Sequence, residues 1–156
     1  MDDKTTVATG GCLCGAVRYE VSGEPVWVGH CHCGTCRRHT GAPVVTFVCF
    51  KADQVAFTKG ERRIYNSSPG VGRAFCGNCG TPMTWEGESN LPERGKILEF
   101  YISTLDDPNA FVPTNHLFYG ERIAWFDVAD NLRRYHGFDF NSDVDRRGPT
   151  QDGLPG

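Results

Sequence analysis

Long apolar runs are missing from this chain of 156 residues; none approaches the roughly 20 residues that a bilayer-spanning helix requires, so no membrane span is expected. The opening residues, MDDKTTVATGG, have neither the basic start nor the apolar stretch of a secretory leader, which points to a cytoplasmic, reducing setting. Positive charge is not in excess either. Lys and Arg number 16 against 19 Asp and Glu, giving a formal net charge of −3 and a pI near 5.9, whereas a nucleic-acid-binding domain is usually strongly basic. Nucleic acid is therefore not an expected partner. Helical periodicity is also nearly absent, which leaves no helical layer to build a core from.

The chain does have short runs rich in β-branched and aromatic residues, separated by Gly, Pro, Asn and Asp, at 17–21, 26–28, 44–50, 54–58, 62–67, 72–75, 83–88 and 97–104. Such runs predict an all-β fold of packed antiparallel sheets. In the first of them Val17, Tyr19 and Val21 alternate with polar or small neighbours, as in a half-buried strand. A turn or two of helix is expected after Cys36 and again over 127–135, the latter capped by Asp127 or Asp130. Length and a hydrophobic share of 39% fit one globular domain over 10–138, with a flexible N-terminus over 1–9 and a polar tail over 139–156.

Cysteine is plentiful, with eight residues that in a reducing setting read as metal ligands before disulfides. Cys31, Cys33 and Cys36 lie within one turn's reach in HCHCGTCRRHTG, with Arg37 and Arg38 behind them to favour thiolate. Three ligands leave a coordination position open, as catalytic zinc sites do. Cys12 and Cys14 form a C-x-C pair on extended chain between Gly11 and Gly15, and Cys76 and Cys79 form a C-x-x-C zinc knuckle. Joined, these two pairs make a closed four-thiolate site that staples distant strands. The other assignment, Cys76 and Cys79 with two of Cys31, Cys33 and Cys36, stays open on spacing alone. Cys49, inside VVTFVCF, reads as a lone buried thiol.

His30 and His32 alternate with Cys31 and Cys33, so on extended chain they point away from the metal face. His39 stands on the turn after Cys36, and His116 has no argument from spacing. Trp85, Trp125, Phe118 and Tyr119 are candidate walls of a substrate groove, although aromatics in a β domain are more often core.

The segments GGCLCGAVRYE, CHCGTCRRHTGAP, SSPGVGRAFCGNCGT, STLDDPNAFVPTNH and AWFDVADNLRRY together resemble the family of glutathione-dependent formaldehyde-activating enzymes and centromere protein V, over about Gly10 to Tyr135. The resemblance implies an all-β zinc fold shared with small Rab-binding zinc chaperones. It implies a structural zinc on Cys12, Cys14, Cys76 and Cys79 and a labile, activity-linked zinc on Cys31, Cys33 and Cys36. The implied reaction condenses glutathione with formaldehyde to S-(hydroxymethyl)glutathione, formally a carbon–sulfur lyase in reverse, with a small thiol and an aldehyde as partners. Arg37 and Arg38 are candidates for a glutathione carboxylate, whose planar shape an Arg fork matches. The chain departs from the family pattern in its short polar end and in Arg133, where many relatives carry proline. Two other readings compete: a zinc-stabilised binding module without catalysis, and an open zinc acting on another small electrophile.

Overall fold

The computed structural model describes residues 5–138. In chain order its elements are β1 (Thr6–Gly11), β2 (Arg18–Ser22), β3 (Trp27–Cys31), α1 (Gly34–Thr40), β4 (Val45–Lys51), β5 (Val55–Lys59), β6 (Arg62–Ser68), β7 (Val71–Cys76), β8 (Pro82–Glu88), β9 (Lys96–Tyr101), β10 (Asn115–Leu117) and β11 (Arg133–Arg134). Strand dominates and α1 has only seven residues, so the all-β expectation holds. The polar tail expected over 139–156 lies outside the described residues. Two compact units divide the chain, the first made of the described residues up to Trp27 and of Val48–Phe111, the second of Val28–Phe47 and the described residues from Val112 onward.

In the first unit, β1, β2 and β5 form an antiparallel sheet in that order, and β6 to β9 form an antiparallel meander. The alternation at 17–21 puts Val17, Tyr19 and Val21 inside, where the Tyr19 ring stacks on Phe100 at 4.1 Å and its hydroxyl meets Thr104 Oγ1 at 2.7 Å. Pro69 and Gly70 close the β6–β7 hairpin, with Gly70 in the left-handed region at φ 75°. The loose N-terminus expected over 1–9 is corrected from Thr6 on. Backbone pairing of Thr6 to Gly11 with β2 orders a stretch whose side chains are mostly exposed or half-buried, because a ladder needs no apolar face. The strand expected over 97–104 ends at Tyr101, where residues Ile102–Thr104 tighten into a 3-10 turn and Thr104 Oγ1 donates to the Tyr101 carbonyl at 2.7 Å.

Glu86 on β8 is buried and paired with Arg62 on β6, whose Nη2 donates to Oε2 at 2.9 Å, while Thr84 Oγ1 donates to Oε1 at 2.9 Å. Burial opposes its ionisation most strongly, but the bonds and charge of Arg62 together with Thr84 and Lys96 outweigh it and hold the carboxyl below its ordinary value. Arg62→Ala is therefore expected to cost about 3 kcal/mol, since it leaves a buried carboxylate without its main counter-charge. The contribution of the wild-type pair is complete above the ordinary glutamate pKa and is lost as pH falls through the depressed one. Urea unfolding of both proteins should thus show the difference shrinking toward low pH.

In the second unit, β10 pairs in parallel with both β3 and β11. A Cβ at Gly29 would collide with Asn115 Oδ1, so glycine is what lets β10 lie this close to β3. The helix expected over 127–135 is absent. Asp130 Oδ1 accepts from Leu132 N–H at 2.9 Å, a local turn that competes with helix, and Arg133–Arg134 pairs with β10 instead. Phe118, directly after β10, is the one non-glycine residue with positive φ among those described, at 51°. This turn brings Tyr119 N–H to the Tyr135 carbonyl at 3.0 Å and sets its ring beside the histidines described below.

Candidate functional site

The two turn motifs of the first unit bring Cys12, Cys14, Cys76 and Cys79 together, with the four sulfurs all within 4.8 Å of one another. The C-x-x-C pair is the hairpin turn between β7 and β8, closed by Gly80 N–H on the Cys76 carbonyl at 2.8 Å and by Cys76 N–H on the Thr81 carbonyl at 3.0 Å. The C-x-C pair sits in the β1–β2 loop and not on the extended chain that its spacing predicts, because Gly15 at φ 76° turns the backbone and its N–H reaches the Cys12 carbonyl at 3.1 Å. The sulfurs converge all the same. Their separations of 3.7 Å (Cys12 to Cys14) and 3.9 Å (Cys14 to Cys76) match the edge of about 3.8 Å of a tetrahedron with zinc–sulfur bonds of about 2.3 Å. Val17 N–H donates to Cys12 Sγ at 3.3 Å, Asn78 N–H to Cys76 Sγ at 3.4 Å and Asn78 Nδ2 to Cys14 Sγ at 3.2 Å. Thr81 holds the Cys79 thiol down at about 5. Of the two pairings left open by spacing, the geometry brings the glycine-flanked pairs together.

In the second unit, Cys31 ends β3, Cys33 caps α1 and Cys36 lies on its first turn, and all three are buried. Their sulfurs form a second group within 4.8 Å, with Cys31 and Cys36 3.7 Å apart. Cys33 Sγ accepts from Cys36 N–H at 3.3 Å, as an N-cap side chain does, and meets Thr35 Oγ1 at 3.3 Å. The neighbouring Cys31 and Cys36 thiols hold Cys33 far below the ordinary thiol value, while the same interactions push Cys31 up. Three thiols converging this closely are the arrangement that a divalent cation completes by displacing their protons. Each thiol group could hold a metal ion, and the ligand chemistry is consistent with zinc.

Gly41 ends α1 at φ 68°, and Arg37, Arg38 and His39 occupy the last turn, where positive charge suits the helix dipole. Arg37 Nη1 donates to the Glu121 carbonyl at 2.6 Å, so this arginine braces the segment after β10, whereas Arg38 is exposed. Tyr119 is buried, Phe118 packs edge-on against Phe138 and Trp125 is 77% exposed, so of the aromatics in this unit Trp125 is the one that most of its surface leaves to solvent. Trp85 lies on β8 in the first unit. Cys49 is wholly buried on β4, and burial pushes its thiol up, as suits a core residue.

Spacing did not point to the histidine cluster of the second unit. His116 stands opposite His30 in the parallel β10–β3 register, a pairing across 86 positions that no local pattern signals. His116 Nε2 bonds Asp130 Oδ2 at 2.9 Å, His116 Nδ1 meets His32 Nε2 at 2.8 Å, and His30 Nδ1 meets Thr46 Oγ1 at 2.9 Å. The carboxylate can only accept, so His116 Nε2 carries the proton; the neutral ring then accepts at Nδ1, and His32 donates from Nε2. This assignment leaves His32 Nδ1 a bare, buried lone pair with no hydrogen-bond partner. Burial keeps all three imidazoles neutral, lowering His32 to about 3 and also lowering His30 and His116, the last against the pull of Asp130. The expectation that His30 and His32 turn away from the sulfurs agrees with these partners.

The family described as glutathione-dependent formaldehyde-activating enzyme matches over residues 7–121. An uncharacterized lyase of Schizosaccharomyces pombe is 35% identical over 74 residues, which make up 47% of this chain and 53% of that protein. The chain thus spans about half the length of that relative. A crystal structure of a Rhodobacter sphaeroides protein superposes with a TM-score of 0.52 at 25% identity, covering 67% of this chain and 97% of that one.

Proposed function

The chain belongs to the glutathione-dependent formaldehyde-activating enzyme family, and from that membership we propose that it is a zinc-dependent, carbon–sulfur lyase-type enzyme that condenses glutathione, or a similar small thiol, with formaldehyde. The observation that carries this reading is the second thiol group, which among the described residues gathers three sulfurs and no fourth ligand. A zinc ion there would supply Lewis acidity, making thiolate available near neutral pH or polarising the aldehyde oxygen. In the reaction the sulfur adds to the formaldehyde carbon, one carbon–sulfur bond forms, the carbonyl π bond breaks, and the proton lost from sulfur ends on oxygen. Cys31, Cys33 and Cys36 are the residues assigned to this centre. Arg38, exposed on the last turn of α1, is available to a substrate carboxylate, and Arg37 fixes the wall behind it through Glu121. The proposed partners are a small thiol and an aldehyde, and the proposed setting is the cytoplasm.

Burial of all three cysteines favours one competing reading, a binding module whose second metal is closed to substrate. Exchange-rate NMR on glutathione and formaldehyde separates them. The enzyme reading predicts formation of S-(hydroxymethyl)glutathione faster than the protein-free rate, whereas an unchanged rate with glutathione and with other small thiols would point to the binding module. Acceleration with a different electrophile alone would keep the open zinc and change the reaction.

A further inference from the structure

The second unit contains a group of potential ligands that neither thiol site uses. His30 on β3, His116 on β10 and Asp130 ahead of β11 offer one ligand atom each, all within 4.8 Å of one another. We propose that His30, His116 and Asp130 form a further divalent-metal site, an N₂O set suited to a borderline cation such as Zn²⁺ or Co²⁺.

Ligand proximity is common among polar residues, and the stronger observation is that each ligand is oriented by its own outer partner. Thr46 Oγ1 engages Nδ1 of His30 at 2.9 Å, leaving Nε2 to ligate. His32 Nε2 engages Nδ1 of His116 at 2.8 Å, leaving its Nε2 toward Asp130. Asp130 is held by Oδ1, which accepts from Leu132 N–H at 2.9 Å and lies 3.2 Å from Arg134 Nη1, so Oδ2 faces the histidine. A metal-binding histidine that gives its second nitrogen to a hydrogen bond, and a carboxylate that is itself hydrogen-bonded, are the marks of a built metal site. The two rings lie 4.7 Å apart at 30°, an arrangement set by the parallel strand register, so the backbone places them before any ion arrives.

The protons balance without an added acid or base. In the metal-free cluster His116 carries its proton on Nε2, between the ring and Asp130. A cation bound through that nitrogen requires the neutral ring to hold its proton on Nδ1, where it donates to His32 Nε2. The proton of His32 then resides on Nδ1, the nitrogen that has no partner in the metal-free cluster. Arg134 competes for Asp130, which favours a weakly held ion over a permanent one.

The test uses full-length protein produced with cobalt and dialysed against a low, buffered concentration of free Co²⁺ under reducing conditions. Visible absorption separates thiolate-bound cobalt, which shows sulfur-to-metal charge transfer, from cobalt held by nitrogen and oxygen, which does not. The expected result is one equivalent beyond the two thiolate groups, lacking charge transfer, and its loss in both His30→Ala and Asp130→Asn while the thiolate absorption and the far-UV circular dichroism stay unchanged. His30→Ala keeps the His116–Asp130 bond, so its fold does not depend on the variant that removes the carboxylate. Absence of the extra equivalent, or its persistence in either folded variant, would overturn the proposal. Neither outcome touches the formaldehyde reaction, which is read separately.

Discussion

Cys76→Ser is expected to leave the protein without a cooperative unfolding transition. The four sulfurs of the first unit connect the β1–β2 loop to the β7–β8 turn, two places far apart in sequence, so a metal bound there closes a long loop as well as satisfying four thiolates. Structural zinc contributes about 10–16 kcal/mol of apparent folding free energy in small peptides, which equals or exceeds the roughly 5–15 kcal/mol of net stability of a typical domain. Serine keeps the size of the side chain but removes a ligand, and the knuckle loses its lock. Thermal unfolding by circular dichroism, with and without a strong chelator, checks this. A sharp transition retained by the variant, near the wild-type midpoint, would mean that the first group carries no structural metal.

Cys33→Ser should have the opposite profile, a folded protein with its thiol–aldehyde activity gone. The second group links residues only five apart, from the end of β3 to the first turn of α1, so little loop entropy depends on it. Cys33 is also the N-cap of α1, a place where serine is among the best residues, so the helix keeps its start. The lost sulfur is nonetheless one of three. Outer-shell changes alone cost about 10–100-fold in metal affinity or activity, and removal of a direct ligand should cost more than that. Turnover close to wild type in Cys33→Ser would contradict the role given to this centre.

The sequence made the two thiol groups and the strands legible for a physical reason: their signals are local. A C-x-x-C with Gly77 inside it and Gly80 after it specifies its turn, and alternation at Val17, Tyr19 and Val21 specifies which face is buried. The placement of Cys12 and Cys14 was less legible, since two-residue spacing points to extended chain whereas the turn at Gly15 puts the pair in a loop. Three other features depended on partners distant in the chain. Thr6–Gly11 is ordered by the ladder to β2, not by burial of its own side chains. Asp130, read as a helix cap, is held by the turn to Leu132 and by His116, whose parallel pairing with β3 leaves no mark in either strand's composition. Arg37, read as a substrate contact, spends its Nη1 on the Glu121 carbonyl, an acceptor that no sequence pattern announces.

The central claim is that the two thiol groups differ in kind, one closed by four sulfurs and one left with three. Cobalt-substituted protein tests it most directly, by following the thiolate charge-transfer absorption as glutathione is added in the absence of formaldehyde. The account predicts that the absorption of one thiolate-bound metal shifts or is lost while that of the other stays unchanged, and that Cys33→Ser removes the responsive component. A spectrum that glutathione leaves untouched, with both metals present, would contradict the claim and make both centres structural.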